Sequence, residues 1–323
     1  MGWTFRQQHS DPIADAKRHH SAGPRRLRHR RRLRPRWRSG RADVETATTA
    51  GGSCMTRAIA WLNGQWGAPH ELSLPLNDRG LQLADGLFET VLIESGEPRL
   101  LEEHLQRWSI SANLLGMAPP PERSHLQPLI EEATQRCGLQ RQSAVLRLNW
   151  SRGESGRRGI DVPQPAQHRF WMTLESGAPT FSAVTAIICQ QERRNADSLI
   201  SRCKTFAYSQ AVLARREATL QGCDDALLLN TRGQLCCGTV ANLMVRRNGS
   251  WLTPPLSSGC LPGVMRGRAL TLGLVKEAEL GSDLNPDDEA VLINSLSCRP
   301  VIALNGLTRT LADTERFWQS LLN

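Results

Sequence analysis

The 323-residue sequence predicts a two-domain protein of mixed α+β and α/β architecture, preceded by a disordered basic tail. Three observations predict it. The net charge sits at one end: of 40 basic and 31 acidic residues, 13 and 4 fall within 1–54, and the 27 of each that remain cancel. From Met55 onward, short runs rich in branched and aromatic residues alternate with segments whose apolar residues recur at helical spacing. A polar stretch bearing glycine and proline, residues 153–166, interrupts that alternation midway. The chain therefore divides into a tail over 1–54, a small α+β block over 55–165 that includes the connecting loop, and a larger block over 166–323. That length suffices to bury a substantial core.

Within the tail, Arg25-Arg26-Leu27-Arg28-His29-Arg30-Arg31-Arg32 repels itself and lacks an apolar period, so it cannot offset the entropy of ordering. It is open to three readings: an arm attracted to RNA or membrane phosphates, an organelle transit peptide, or a start codon placed too early, with Met55 as the first residue. The neutral remainder argues against nucleic-acid binding by the main body and leaves that role only to the tail. With no secretory segment or membrane-length apolar run, a cytoplasmic protein without membrane association is expected. The nine cysteines are odd in number and form no C-x-x-C pair, which points to reduced thiols and to no metal site.

The elements follow in order. A strand over Ala58–Leu62 turns at Asn63-Gly64 into a second short strand. Asp85-Gly86 precedes a strand over Leu87–Ile93, and Gly96-Glu97-Pro98 turns the chain again. Leu101, Leu105, Trp108, Ala112 and Leu115 mark one helix, stopped by Gly116; a second spans about 124–137, and a strand follows over Ala144–Trp150. The second block opens with strands over Phe170–Leu174 and Val184–Cys189. A helix over Ser209–Leu220 and a strand over Ala226–Leu229 come next, then strands near 243–246 and 251–253, a helix over 265–274, strands over Ala290–Asn294 and Val301–Leu304, and a closing helix over 313–322.

Chemistry concentrates between Lys204 and Arg268. Lysines are scarce, and Lys204 stands at the edge of a partly apolar segment, which suits imine chemistry because that needs the neutral amine. Read alone, it could equally be a solvated cation. Gly263 precedes a helix, so the N–H groups of Val264 and Met265 would face an anion at the positive helix end. Gly238-Thr239 offers further backbone and hydroxyl donors, and Arg107 could supply a forked cation, although a surface helix arginine would look the same.

Seven segments in order carry a resemblance. They are Asn77-Asp78-Arg79-Gly80 with Asp85–Thr90, Glu103–Arg107, Lys204-Thr205, Asp225–Asn230, Gly238–Leu243, Leu261–Arg266 and Ile293–Leu296. Together they resemble the fold-type IV pyridoxal-phosphate enzymes, the class IV aminotransferase family, over Met55–Asn323. The resemblance implies a D-amino-acid-aminotransferase-like fold, a homodimer, and pyridoxal 5'-phosphate as cofactor. It matches Lys204 to the Schiff-base lysine, Arg107 to the phosphate arginine, and Val264 and Met265 to the phosphate-binding amides. Asn294 and Ser295 fall in the loop that meets phosphate and substrate carboxylate, and Tyr208 is placed to line the cofactor face.

Within the family, the chain is similar to 4-amino-4-deoxychorismate lyases, which release 4-aminobenzoate and pyruvate for folate synthesis. Ser151-Arg152-Gly153-Glu154-Ser155-Gly156-Arg157 resembles their S-R-G-x-x-G-R loop, which puts Arg147 and Arg157 where cations meet substrate carboxylates. Met265 stands where aminotransferases commonly carry threonine. One departure is Cys237, at the position of the family's glutamate partner for the pyridine nitrogen. Branched-chain or D-amino-acid transamination is the alternative reaction. A catalytically silent binding protein is a further one, raised by Cys237 and the tail.

Overall fold

The computed structural model describes residues 58–156 and 158–322; the basic tail, Cys54 and Arg157, with the readings that rest on them, lie outside the described residues. Two sheets organise the chain. The first contains β1 (Ala58–Leu62), β2 (Gln65–Gly67), β3 (Gly86–Glu94), β4 (Glu97–Pro98), β5 (Ser143–Glu154) and β6 (Gln167–Ser176), in the antiparallel order β2-β1-β6-β5-β3-β4. Its helices are α1 (Arg79–Leu83), α2 (Leu101–Leu114) and α3 (Arg123–Cys137). The short α1 has no apolar period to betray it in sequence; it is started by Asp78, whose carboxylate accepts from Gly80 N at 2.8 Å.

The strand expected to open the second block, Phe170–Leu174, is the middle of β6 and pairs with both β1 and β5. Residues 155–166 are thus the long loop of a β5–β6 hairpin, and the passage between sheets is the segment 177–183. The alternation explains why. Leu146 and Leu148 of β5 and Met172 and Leu174 of β6 are fully buried in one core with Trp108, Leu126 and Ile130 of the helices, so both strands need the same sheet. In sequence, a polar stretch with glycine and proline reads alike in a hairpin loop and in a linker.

The second sheet holds β7 (Val184–Arg194), β8 (Asp225–Asn230), β9 (Leu235–Cys237), β10 (Asn242–Arg247), β11 (Ser250–Thr253), β12 (Val275–Glu277), β13 (Glu289–Asn294), β14 (Ser297–Leu304) and β15 (Leu307–Thr308). Pairing of β9 with both β8 and β10 closes β10-β13-β14-β7-β8-β9 into a ring. The helix α4 (Ser209–Leu220) is the crossover that lets β7 and β8 run parallel. Two more helices, α5 (Val264–Thr271) and α6 (Thr314–Ser320), are shorter than the sequence suggests; α5 stops ahead of Gly273, which adopts φ +67°. Trp318 of α6 is fully buried in a core that also takes Leu92 from β3, so apolar packing reaches from one sheet to the other.

Strand alternation on β3 prepares the site. Leu87, Glu89 and Val91 turn toward α2, where Glu89 meets His104 and Arg107. Phe88 and Thr90 turn the other way, into a cavity of about 780 Å³.

Candidate active site

Lys204 is held against β3 by its backbone. Phe88 N donates to Lys204 O at 2.9 Å and Phe206 N donates to Gly86 O at 3.0 Å, with Leu87 and Thr205 bridged between them. A side chain at residue 86 would collide with the Phe206 ring, its Cβ lying 2.2 Å from Cε2, so glycine is what permits this approach. The amine then points into the cavity: Lys204 Nζ donates to Tyr208 Oη at 2.9 Å and lies 4.2 Å from the Phe88 ring centroid.

Arg107 reaches the cavity from α2. Its Nε and Nη2 grip the Glu89 carboxylate, and Nη1 donates to Pro262 O at 3.1 Å, next to Gly263. His104 Nδ1 lies 2.7 Å from the same carboxylate, and its Nε2 lies 3.1 Å from Ser295 Oγ. Burial pushes the Glu89 carboxyl up, but the Arg107 charge and the hydrogen bonds from His104 and Arg107 outweigh it and hold it at about 2. His104 is driven down chiefly by burial, assisted by the Arg107 and Lys204 charges and opposed by Glu89.

The helix α5 begins beside this group. Gly263 is its N-cap, Val264 lines the cavity, and the first amides of the helix have no intrahelical acceptor. The expectation for Met265 concerns its amide. Its side chain is buried in the core with Trp318 and does not line the cavity, so only its amide can serve the site. Gly263 sits so close to Asn242 that a Cβ would lie 1.9 Å from Oδ1, and Asn242 is itself fixed by donating to Leu261 O at 2.9 Å. Gly263→Ala is therefore expected to destabilise the fold by about 1–3 kcal/mol and to weaken phosphate binding. Chemical denaturation and phosphate titration check this; unchanged values in both would show that the turn has room to spare.

The opposite strands supply Cys237, Gly238 and Thr239 to the cavity wall. The expected donor set at Gly238-Thr239 is largely spent inside the protein. Gly238 N donates to Ala241 O, while the amide and hydroxyl of Thr239 both point to Asp225, at 3.3 and 2.7 Å. A buried carboxylate needs those donors, which a sequence does not reveal. Asn294 behaves similarly: its Oδ1 accepts from Leu296 N and its Nδ2 donates to Val240 O, so it knots the β13–β14 turn while lining the cavity. A hydrogen bond from Cys236 and then the Arg194 charge pull the Cys237 thiol down against its burial, and the same coupling pushes Cys236 up.

Arg147 lies on the cavity face of β5, with its guanidinium carbon 3.7 Å from the Phe88 ring centroid and its Nε donating to Asn149 Oδ1. Among the described residues, Arg147, Arg194 and Lys204 pair with no carboxylate, so the cavity carries excess positive charge suited to an occupant with more than one anionic group. The Ser-Arg-Gly run beside it is architectural. Ser151 donates to Asp78, Arg152 is buried against Asp85 and the Leu115 and Gly116 carbonyls, and Gly153, at φ +79°, forms a bulge before β6. Arg157, from the same run, lies outside the described residues. Sequence reading overlooked Arg194, a cavity residue at the end of β7 whose only signal is its place after an apolar strand.

This arrangement has relatives. A family model described as amino-transferase class IV matches residues 86–304. A Schizosaccharomyces pombe protein named "Putative aminodeoxychorismate lyase" is 30% identical over 226 residues, covering 68% of this chain and 90% of its own. A Mycobacterium tuberculosis protein named as a bifunctional aminodeoxychorismate lyase / D-amino acid transaminase is 28% identical over 216 residues, covering 61% of this chain and 71% of its own. Among solved structures, the pyridoxal-phosphate-bound form of a hypothetical aminotransferase from Mycobacterium tuberculosis superposes with a TM-score of 0.70 at 23% identity, over 82% of this chain and 97% of that one, a likeness of fold. With its matched segments spanning both sheets, the chain belongs to the class IV aminotransferase family and is a pyridoxal 5'-phosphate-dependent enzyme.

Proposed function

We propose that this enzyme is a 4-amino-4-deoxychorismate lyase that releases 4-aminobenzoate and pyruvate, acting as a homodimer. The residues present fit the cofactor. Lys204 offers an amine inside a cavity, Arg107 and the first amides of α5 lie together beside it, and Gly263, pressed against Asn242, opens that helix without a side chain of its own. When bound, the cofactor supplies an aldehyde for the Lys204 amine and a conjugated ring that takes up electrons from the substrate carbon.

The observation that carries the reading is Arg147. Its guanidinium shares the Phe88 ring with Lys204 Nζ and has no acid partner among the described residues, so a substrate carboxylate completes it. A substrate with two carboxylates suits the uncompensated cations better than a simple amino acid does. Lys204 Nζ, steadied by Tyr208 Oη, takes the proton from the carbon bearing the substrate amine. The enolpyruvyl group then leaves with its oxygen and gains a proton to become pyruvate, and the ring left behind is aromatic. Ser295 and Asn294 border the same space.

Cys237 supports the same choice. A thiol is a weaker partner than a carboxylate for a ring nitrogen, which lowers the pull on electrons. Aromatisation supplies driving force in the lyase reaction, whereas transamination lacks it. Cys237→Glu is expected to raise amino-acid transamination at least about tenfold while changing 4-aminobenzoate release less, a difference of about 1.4 kcal/mol in barrier. Both rates are measured on cofactor-loaded protein; a large gain in transamination with no lyase activity in either form refutes the ordering.

The direct test supplies aminodeoxychorismate and follows 4-aminobenzoate. A second reading, transamination, is favoured by the bifunctional relative, and it predicts instead that a branched-chain or D-amino acid is consumed with release of its oxo acid.

A further inference from the structure

His104 is 1% exposed and hydrogen-bonded at both ring nitrogens, to Glu89 Oε2 at 2.7 Å and to Ser295 Oγ at 3.1 Å. Proton positions follow from the partners. Glu89 is ionised down to about pH 2 and can only accept, so His104 Nδ1 carries a hydrogen. In a neutral ring Nε2 is then an acceptor, and the Ser295 hydroxyl must donate to it. Ser295 is left facing the cavity with lone pairs only, which repel an anion.

We propose that His104 sets the hydrogen-bond polarity of the Ser295 hydroxyl, so that an anion bound at Ser295 enters together with one proton on His104. In the protonated ring, Nε2–H donates to Ser295 Oγ and the hydroxyl hydrogen turns toward the cavity, where phosphate and carboxylate oxygens accept it. The charged groups facing the ring are Glu89 from β3, Arg107 from its own helix and Lys204 across the cavity. Burial and the two cations keep the ring neutral when the cavity is empty, and an arriving anion reverses that balance. His104 is thus a positioning residue, acting on the ligand through Ser295. The device operates whichever reaction the cavity runs.

Calorimetry in two buffers of different ionisation enthalpy, near pH 8, counts the protons. One arm titrates cofactor-free protein with 4'-deoxypyridoxine 5'-phosphate, which has the phosphate but no aldehyde for Lys204. The other titrates cofactor-loaded protein with 4-aminobenzoate, which brings a carboxylate. Uptake of about one proton per anion is expected in the arm whose anion meets Ser295, with affinity falling up to about tenfold per pH unit where that proton is linked to binding. Ser295→Ala should bind the anion more weakly without the uptake, and Ser295→Thr should restore it. Nitrogen-15 spectra of the wild-type histidines should show one buried ring becoming imidazolium at saturation, a readout that needs no variant. No proton uptake in either arm, no such change in the spectra, or uptake in Ser295→Ala equal to wild type overturns the proposal.

Discussion

Lys204→Ala is expected to abolish turnover. Losing the proton transfer alone costs about 10²–10⁴-fold in kcat, and the cofactor also loses its bond to the protein. Structure argues that the loss is chemical. The contacts that seat residue 204 are backbone bonds to β3, which alanine keeps, so the denaturation midpoint should barely move. Intact mass after borohydride treatment separates the outcomes: wild-type protein retains the reduced cofactor and Lys204→Ala does not. The sequence has two other lysines, Lys17 and Lys276; a cofactor mass retained by the variant would move the chemistry to one of them and away from this cavity.

Glu89→Gln is the variant with the largest expected cost in stability. Glu89 is completely buried and gathers Arg107 and His104 into one network. Neutralising it leaves the buried Arg107 guanidinium without its anionic partner, facing a neutral amide and the Pro262 carbonyl, a loss of up to about 3–5 kcal/mol by analogy with broken buried pairs. Cofactor affinity should fall with it, because Arg107 and His104 both lose the anchor that aims them. The pH dependence has a definite sign. The folded-state carboxyl, at about 2, lies below its ordinary value of 4.5, so its contribution is complete above 4.5 and disappears as pH falls toward 2. Wild-type protein should therefore lose its advantage over Glu89→Gln across that window in equilibrium denaturation. Equal stability at neutral pH would show that the network does not hold this corner of the fold.

Much of this was legible in the chain, and the misses have physical causes. Strand β1 and helix α4 fall at the residues that period and turn chemistry predict, because apolar alternation and helical spacing are local properties. Strand β9, only Leu235–Cys237, is too short to show a period, yet it closes the ring of the second sheet and carries Cys237 to the cavity. The hairpin loop before β6 was indistinguishable from a linker, since only the partner strand decides which sheet a strand joins. Arg147 and Arg152 look alike in sequence; strand alternation and the bulge at Gly153 send one to the cavity and bury the other against Asp85.

The order of motifs by itself determined the family and the cofactor and singled out Lys204 as the candidate amine, because each motif is a short run whose residues act on their own neighbours. Hydrogen-bond allegiance was decided only in three dimensions. Thr239 turns its donors to Asp225, Glu89 takes His104 and Arg107, and Ser295 meets a histidine 191 positions away. A polar side chain can be counted from sequence, but the atom that satisfies it is chosen by packing, since burial makes an unmatched donor costly and leaves only the nearest acceptor to supply the match.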